Sequence, residues 1–155
     1  MVEYRLNKAT EAESAEHLSR CDACFVPPLS GRVAIDDYAK KIAGNATRFE
    51  AWSGGTLVGL VAAYCNDHEQ RIAYITSVSV LSEWKGKGIA GCLIKQCIEH
   101  AGALGMRQIS LEVARDNVLA IKLYEKNGFV AGKANVSLGT MNLYLSSGEE
   151  DDRQA

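Results

Sequence analysis

The stretch from Arg48 to Leu81 constrains this chain most. Three β-rich runs, Arg48 to Trp52, Thr56 to Tyr64 and Ile72 to Leu81, follow one another with only turns between them. Ser53-Gly54-Gly55 supplies a hairpin turn, and the polar NDHEQR segment from Asn66 to Arg71 supplies the next. Connections this short join neighbouring strands only in the antiparallel sense. The middle of the chain is therefore predicted to be an antiparallel meander.

The flanks read differently. Glu3 to Asn7 alternates weakly and suits a first strand. Thr10 with Glu13 forms a capping-box pattern ahead of a helical run to Phe25, which Pro27-Pro28 ends. A second helix is expected from Ile35 to Ala46, with Ile35, Tyr38 and Ile42 on one side. After the meander comes a helix from Gly88 to Leu104, striped by Ile89, Leu93, Cys97, Ala101 and Leu104 and stopped by Gly105. Gln108 to Val113 reads as a strand. Asp116 or Asn117 caps a last helix to Lys126, which Asn127-Gly128 stops. Phe129 to Ala134 and Thr140 to Leu145 read as closing strands. The expectation is one α/β (α+β) domain over residues 1–146, in the order β1-α1-α2-β2-β3-β4-α3-β5-α4-β6-β7. An acidic flexible tail covers 147–155.

Composition narrows the function. The net charge is −2, so a general nucleic-acid binder, usually basic, is not expected. No apolar run approaches the ~18 residues that cross a bilayer, and the charged N-terminus has no apolar signal core. A cytoplasmic protein without membrane or nucleic-acid partners is expected. Five cysteines, an odd number at irregular spacing, do not form a disulfide framework. Cys21 and Cys24 make a single C-x-x-C, and His17, His68 and His100 do not complete a zinc set. No metal is expected, and the thiols read as small buried or half-buried side chains.

Residues 84–91, WKGKGIAG, place Gly86, Gly88 and Gly91 at the spacing G-x-G-x-x-G. That is a dinucleotide-binding fingerprint, and Glu112 stands near the position of its ribose-binding acid. The setting argues against it. A Rossmann fold needs several βαβ units, whereas a meander precedes this loop and little more than one βα unit and a hairpin follow it. The local physics still favours an anion. The loop lies between strand and helix, where unsatisfied backbone N–H groups face outward. Glycines allow close approach, Lys85 and Lys87 add charge, and no carboxylate opposes them in the first turn. A turn with solvated lysines is the plain structural alternative.

A second stretch, NVLAIKLYEKNGF from Asn117 to Phe129, puts Asn117, Ala120, Ile121 and Tyr124 on one helical face. Leu119 and Leu123 are expected to form the buried stripe. An amide, a small residue and a phenol suit something thin that lies along the helix. From Asn117 to Tyr124 the rise is about 10.5 Å, the length of part of an acyl carrier arm. Taken alone, Tyr124 reads first as a half-buried tyrosine with a wet hydroxyl.

Together the two motifs resemble the GCN5-related N-acetyltransferase superfamily. Its loop [QR]-x-x-G-x-[GA] is matched by Lys85-Gly86-Lys87-Gly88-Ile89-Ala90, with lysine in the first place. Its N-x-x-A-x-x-L-Y-x-x-x-G-F is matched by Asn117, Ala120, Leu123, Tyr124, Gly128 and Phe129. The element order agrees over nearly the whole chain. The resemblance implies a mixed, mostly antiparallel sheet of about seven strands flanked by about four helices. It implies acetyl-CoA as cosubstrate and an amine as acceptor. Backbone of Val78, Ser79 and Val80 would pair with the pantetheine amides. Lys85, Gly86, Lys87, Gly88, Ile89 and Ala90 would hold the pyrophosphate. Asn117, Ala120 and Tyr124 would line the arm.

The resemblance makes Tyr124 the acid for the departing thiolate. Glu112, twelve residues earlier, matches a glutamate proposed as base in enzymes that acetylate a ribosomal protein's N-terminal alanine. A structural carboxylate, or a water chain as base, is the alternative there. Asp67 and Glu69 are poorer candidates, and no cysteine has a partner base. Acceptor choice is expected in Phe25 to Val33 and in Gly132 to Thr140. Phe25 would wall the pocket and Arg32 would meet a carboxylate or phosphate. A small-molecule amine, an amino acid or amino sugar, is the expected substrate. A protein N-terminus or lysine is the alternative, and a silent CoA-binding sensor or scaffold is the rival from another class. A homodimer is allowed, though no residue specifies it.

Overall fold

The structure is a computed structural model, and it describes residues 1–145. The tail expected over 147–155 lies outside the described residues. The elements run β1 (Glu3–Leu6), α1 (Glu11–Arg20), α2 (Ile35–Asn45), β2 (Thr47–Ser53), β3 (Thr56–Tyr64), β4 (Ile72–Val80), α3 (Ile89–Ala103), β5 (Gln108–Ala114), α4 (Val118–Lys126), β6 (Val130–Ala134) and β7 (Leu138–Tyr144). This is the expected order. The strands make one sheet, β1-β2-β3-β4-β5-β7-β6, antiparallel at every junction but β4–β5.

β3 is covered on both faces, so its sequence TLVGLVAAY is apolar almost throughout. Val61 and Ala63 join the core beneath α3, and Leu60 and Ala62 join the core beneath α1 and α2. Gly59 lets α3 press onto the sheet. A Cβ there would stand 2.8 Å from Ile89 Cγ2 and 3.3 Å from Leu93 Cδ1. Leu93, Ile94, Cys97 and Ala101 are fully buried from α3. Each of the larger two contributes about 1.5–3 kcal/mol by leaving water. This packing fixes the helix axis, and so fixes where its N-terminus points.

The start of α1 is set as expected. Thr10 Oγ1 accepts from Glu13 N–H at 3.1 Å, and Glu13 Oε1 accepts from Thr10 N–H at 2.9 Å. Its end differs from expectation. The helix stops at Arg20, and a 3-10 turn at Asp22–Cys24 follows. Asp22 is drawn away by Ser30, whose N–H and hydroxyl both donate to its carboxylate at 2.7 Å. Two apolar assignments also change. Leu104 caps α3 outside its last turn and is exposed, as is Leu119 in the first turn of α4.

Inside the meander edge, Glu50 is fully buried. It accepts from Ala9 N–H at 3.0 Å and Trp52 Nε1 at 3.0 Å, with Arg48 Nε at 3.6 Å. This fastens the chain entering α1 to β2.

The parallel junction positions the site. β4 and β5 pair only over Ile72–Tyr74 and Gln108–Ser110. Beyond those residues the strands separate, while β4 stays paired to β3 as far as Val80.

Candidate active site

The gap between β4 and β5 opens into a cleft of about 530 Å³. One wall is β4 from Tyr74 to Val80, and the other is β5 from Leu111 to Ala114. In an antiparallel strand, alternate residues direct their N–H and C=O to opposite sides. Along Ile75–Val80 the set turned from β3 therefore meets the cleft instead of a strand. Val78, Ser79 and Val80 all line it, with Ser79 and Val80 buried, so their backbone is what they offer.

At one end stands the head of α3. Gly86 and Gly88 both adopt φ +79°, the left-handed region that a side chain disfavours. Gly88 is the N-cap, and no side chain caps the helix. Among the described residues, no backbone N–H from Gly86 to Gly91 donates to a protein acceptor. Six neighbouring donors at the positive end of a 15-residue helix form an anion-binding nest. Lys85, Gly86, Gly88, Ile89 and Ala90 line the cleft, whereas Lys87 is exposed outside it. The sequence motif does not distinguish the two lysines.

α4 crosses the cleft. Asn117 is its N-cap and accepts from Ala120 N–H at 3.3 Å. Its NH2 group has no partner among the described residues. Asn117, Ala120, Leu123 and Tyr124 all line the cleft, and so does the exposed Leu119. Leu119 was expected in the buried stripe, but the first turn of α4 projects over the opening rather than the core. Tyr124 is 8% exposed, its ring tilted against Phe129 at 5.9 Å. Its hydroxyl has no hydrogen-bond partner among the described residues. Burial pushes the phenol up to about 12, so it stays protonated throughout the neutral range.

Glu112 is exposed on the cleft wall of β5 and accepts from Tyr74 Oη at 3.3 Å. Burial, and then the Glu112 carboxylate, raise Tyr74 to about 12. Asp67 and Glu69 do not line the cleft. Asp67 caps its own turn by accepting from Gln70 N–H at 3.0 Å.

The far end is closed by the segment after α1. Phe25 and Arg32 line the cleft as expected, with Leu29 and Val26 beside them. The Asp22–Ser30 bonds pin this loop at both ends.

Tyr74, Thr76, Trp84 and Leu138 also line the cleft, and none stood out in the sequence. Stepping back by twos from Val78 would have found Tyr74 and Thr76 on its face of the strand. Trp84 and Leu138 carried no such signal.

Below β4, His17 is buried. Its Nδ1 lies 2.9 Å from Leu57 O, which fixes the proton there. Nε2 accepts from the Ser79 hydroxyl at 2.9 Å. Burial lowers the imidazole to about 4. Cys21 packs beside it, buried, while Cys24 is exposed at the cleft rim, 3.6 Å from Ser82 Oγ. The exposure of Cys24 departs from the buried or half-buried thiol expected. It follows from the chain leaving α1 at Arg20. Among the described residues, no helix is long and apolar enough to cross a membrane.

Known proteins agree with this architecture. A mycothiol acetyltransferase of Corynebacterium glutamicum is 31% identical over 55% of this chain and 28% of its own length. The N-alpha-acetyltransferase MAK3 of Arabidopsis thaliana is 31% identical over 55% of this chain and 45% of its own. The chain thus spans less than half the length of these two curated relatives. An N-acetyltransferase structure from Staphylococcus aureus superposes with a TM-score of 0.75 at 20% identity, over 94% of this chain and 99% of that one. Residues 13–129 match the family model described as acetyltransferase (GNAT) family, and with both motifs lining one cleft the chain belongs to that family.

Proposed function

We propose that the protein transfers the acetyl group of acetyl-CoA to a primary amine by direct attack within a ternary complex. The observation that carries this reading is the pairing of two unsatisfied features in one cleft. The bare N–H groups from Gly86 to Gly91 lie at one end, and the unpartnered hydroxyl of the otherwise buried Tyr124 lies further in. A pyrophosphate on the first feature lets a thin amide-bearing arm run along β4 toward the second. Val78, Ser79 and Val80 then serve the arm's amides, and Asn117 and Ala120 its outer side. Lys85, on the cleft side, adds charge to the phosphate end.

An acceptor amine must be neutral to attack. A lysine-like amine has a pKa near 10 and an α-amine near 8, so a base assists at neutral pH. Glu112 is the carboxylate on the cleft wall and takes that role, directly or through water. Backbone N–H groups near Val78 polarise the carbonyl. Tyr124 donates to the sulfur as the thiolate departs. Apolar surroundings raise a thiol as they raise the phenol, so the burial of Tyr124 does not by itself oppose proton transfer to the departing sulfur. No enzyme-bound acyl group is needed. The acceptor is a small amine such as an amino acid or amino sugar, a reading supported by the pinned Asp22–Arg32 segment that walls the cleft.

Two measurements on the full chain test this. Calorimetric titration with CoA should show saturable 1:1 binding, and thiol release from acetyl-CoA should require an amine. Binding without release across a broad amine panel would make the protein a coenzyme sensor instead.

A further inference from the structure

Three charged residues line the cleft: Lys85, Arg32 and Glu112. Lys85 belongs to the phosphate end. The other two stand at the acceptor end with opposite signs, Arg32 following the Leu29–Gly31 turn and Glu112 on β5. Tyr74 links them. Its hydroxyl donates to Glu112, and the positive field of Arg32 reaches the same phenol. That field also reaches Tyr38, whose hydroxyl is fixed on Thr76 at 2.9 Å and 2.7 Å.

Among the described residues, the Arg32 guanidinium makes no hydrogen bond or ion pair. A guanidinium presents five donors and favours a planar oxyanion. The loop bearing it does not drift, because Asp22 grips Ser30 from the other side. A bare amine or an amino sugar leaves Arg32 unanswered. A polyamine brings a second cation against it.

Building on the transfer reading above, we infer that the acceptor is a small zwitterion, with a primary amine directed to Glu112 and a carboxylate held by Arg32. Phe25, Leu29 and Leu138 supply the apolar surface around it. A peptide N-terminus fits poorly, because its nearest carboxyl is already an amide.

The test uses matched acceptors on the full chain: the proteinogenic amino acids, their amides, the corresponding decarboxylated amines, glucosamine and spermidine. At least one amino acid should exceed its own amide in kcat/KM by about tenfold or more. Arg32→Gln should raise KM for that acid by about 10- to 100-fold and bring the acid-to-amide ratio toward one. Arg32→Glu should turn the preference toward the diamine. Binding of the same amino acid to the CoA complex, followed by calorimetry, gives a readout without turnover. Amino-acid binding that Arg32→Gln abolishes, with no acetyl moved, supports the zwitterion site and defeats the transfer reading. Transfer that ignores the carboxylate, an equal loss on acid and amide, or no amino acid bound or acetylated would each overturn the zwitterion site.

Discussion

The two ends of the cleft are made of different material. The end we assign to the coenzyme is built from backbone: the unpaired side of β4, the glycine turn, and the first N–H groups of α3. The end we assign to the acceptor is built from side chains on separate segments: Phe25 and Arg32 from one loop, Tyr74 from β4, Glu112 from β5 and Leu138 from β7. Backbone recognition suits a partner that never changes. Side-chain recognition lets the partner change while the fold stays the same. Tyr124 stands where the two ends meet.

That division predicts which kinetic constant each substitution moves. Tyr124→Phe should give the largest effect. It removes the acid without touching either end, so kcat should fall by about 10²- to 10⁴-fold while CoA affinity holds. Full turnover in that variant at saturating substrates would take Tyr124 out of the chemistry. Glu112→Gln comes next, at about 100-fold in kcat/KM for the amine. The loss should shrink for weakly basic amines, which need no base. An equal loss on strongly and weakly basic amines would return Glu112 to a structural role.

A third effect concerns the floor beneath the coenzyme end. His17 is held near 4, against about 6.5 when unfolded. Between those values the unfolded chain binds a proton that the folded chain refuses. Stability is therefore full above pH 6.5 and declines as pH falls toward 4. The loss should be about 2 kcal/mol at pH 5, measured by urea unfolding at pH 5 and pH 7. A flat response would show that His17 is not held neutral. The smallest effect is expected from Gly88→Ala. A left-handed φ costs a side-chain residue about 1–2 kcal/mol, so the free turn should relax out of that conformation. CoA, which must restore it, should bind about tenfold more weakly with amine selectivity unchanged. Altered selectivity in that variant would mean that the two ends are not separable.

The same contrast explains what the sequence made legible. A backbone nest requires glycine where φ is positive, so Gly86 and Gly88 marked the turn of bare N–H groups in the sequence itself. The meander declared itself through turn chemistry and the unbroken apolar run of β3. Tyr74 and Glu112 meet across 38 positions, and Arg32 lines the same cleft from a separate loop. No local period encodes such a meeting. Glu112 was found by its spacing from Tyr124, and Phe25 and Arg32 as able side chains within a segment that the resemblance singled out. Lys85 and Lys87 stand two positions apart around a tight turn, and that offset decides which of them lines the cleft. Leu119 was misplaced because apolar spacing marks one side of a helix without saying whether protein or an opening lies there. Helix α1 ended early because Asp22 answers to Ser30, a partner outside its own helical pattern.

The separation of β4 from β5 has a consequence for how the molecule keeps to itself. An unpaired strand margin on the outside of a protein is an invitation to another chain. Here that margin is folded indoors, with Leu111 to Ala114 facing it and α4 across the top. A polypeptide carries side chains above and below its plane, and a slender amide-bearing thread does not. The fold thereby keeps hydrogen-bonding capacity in reserve without risking aggregation through it.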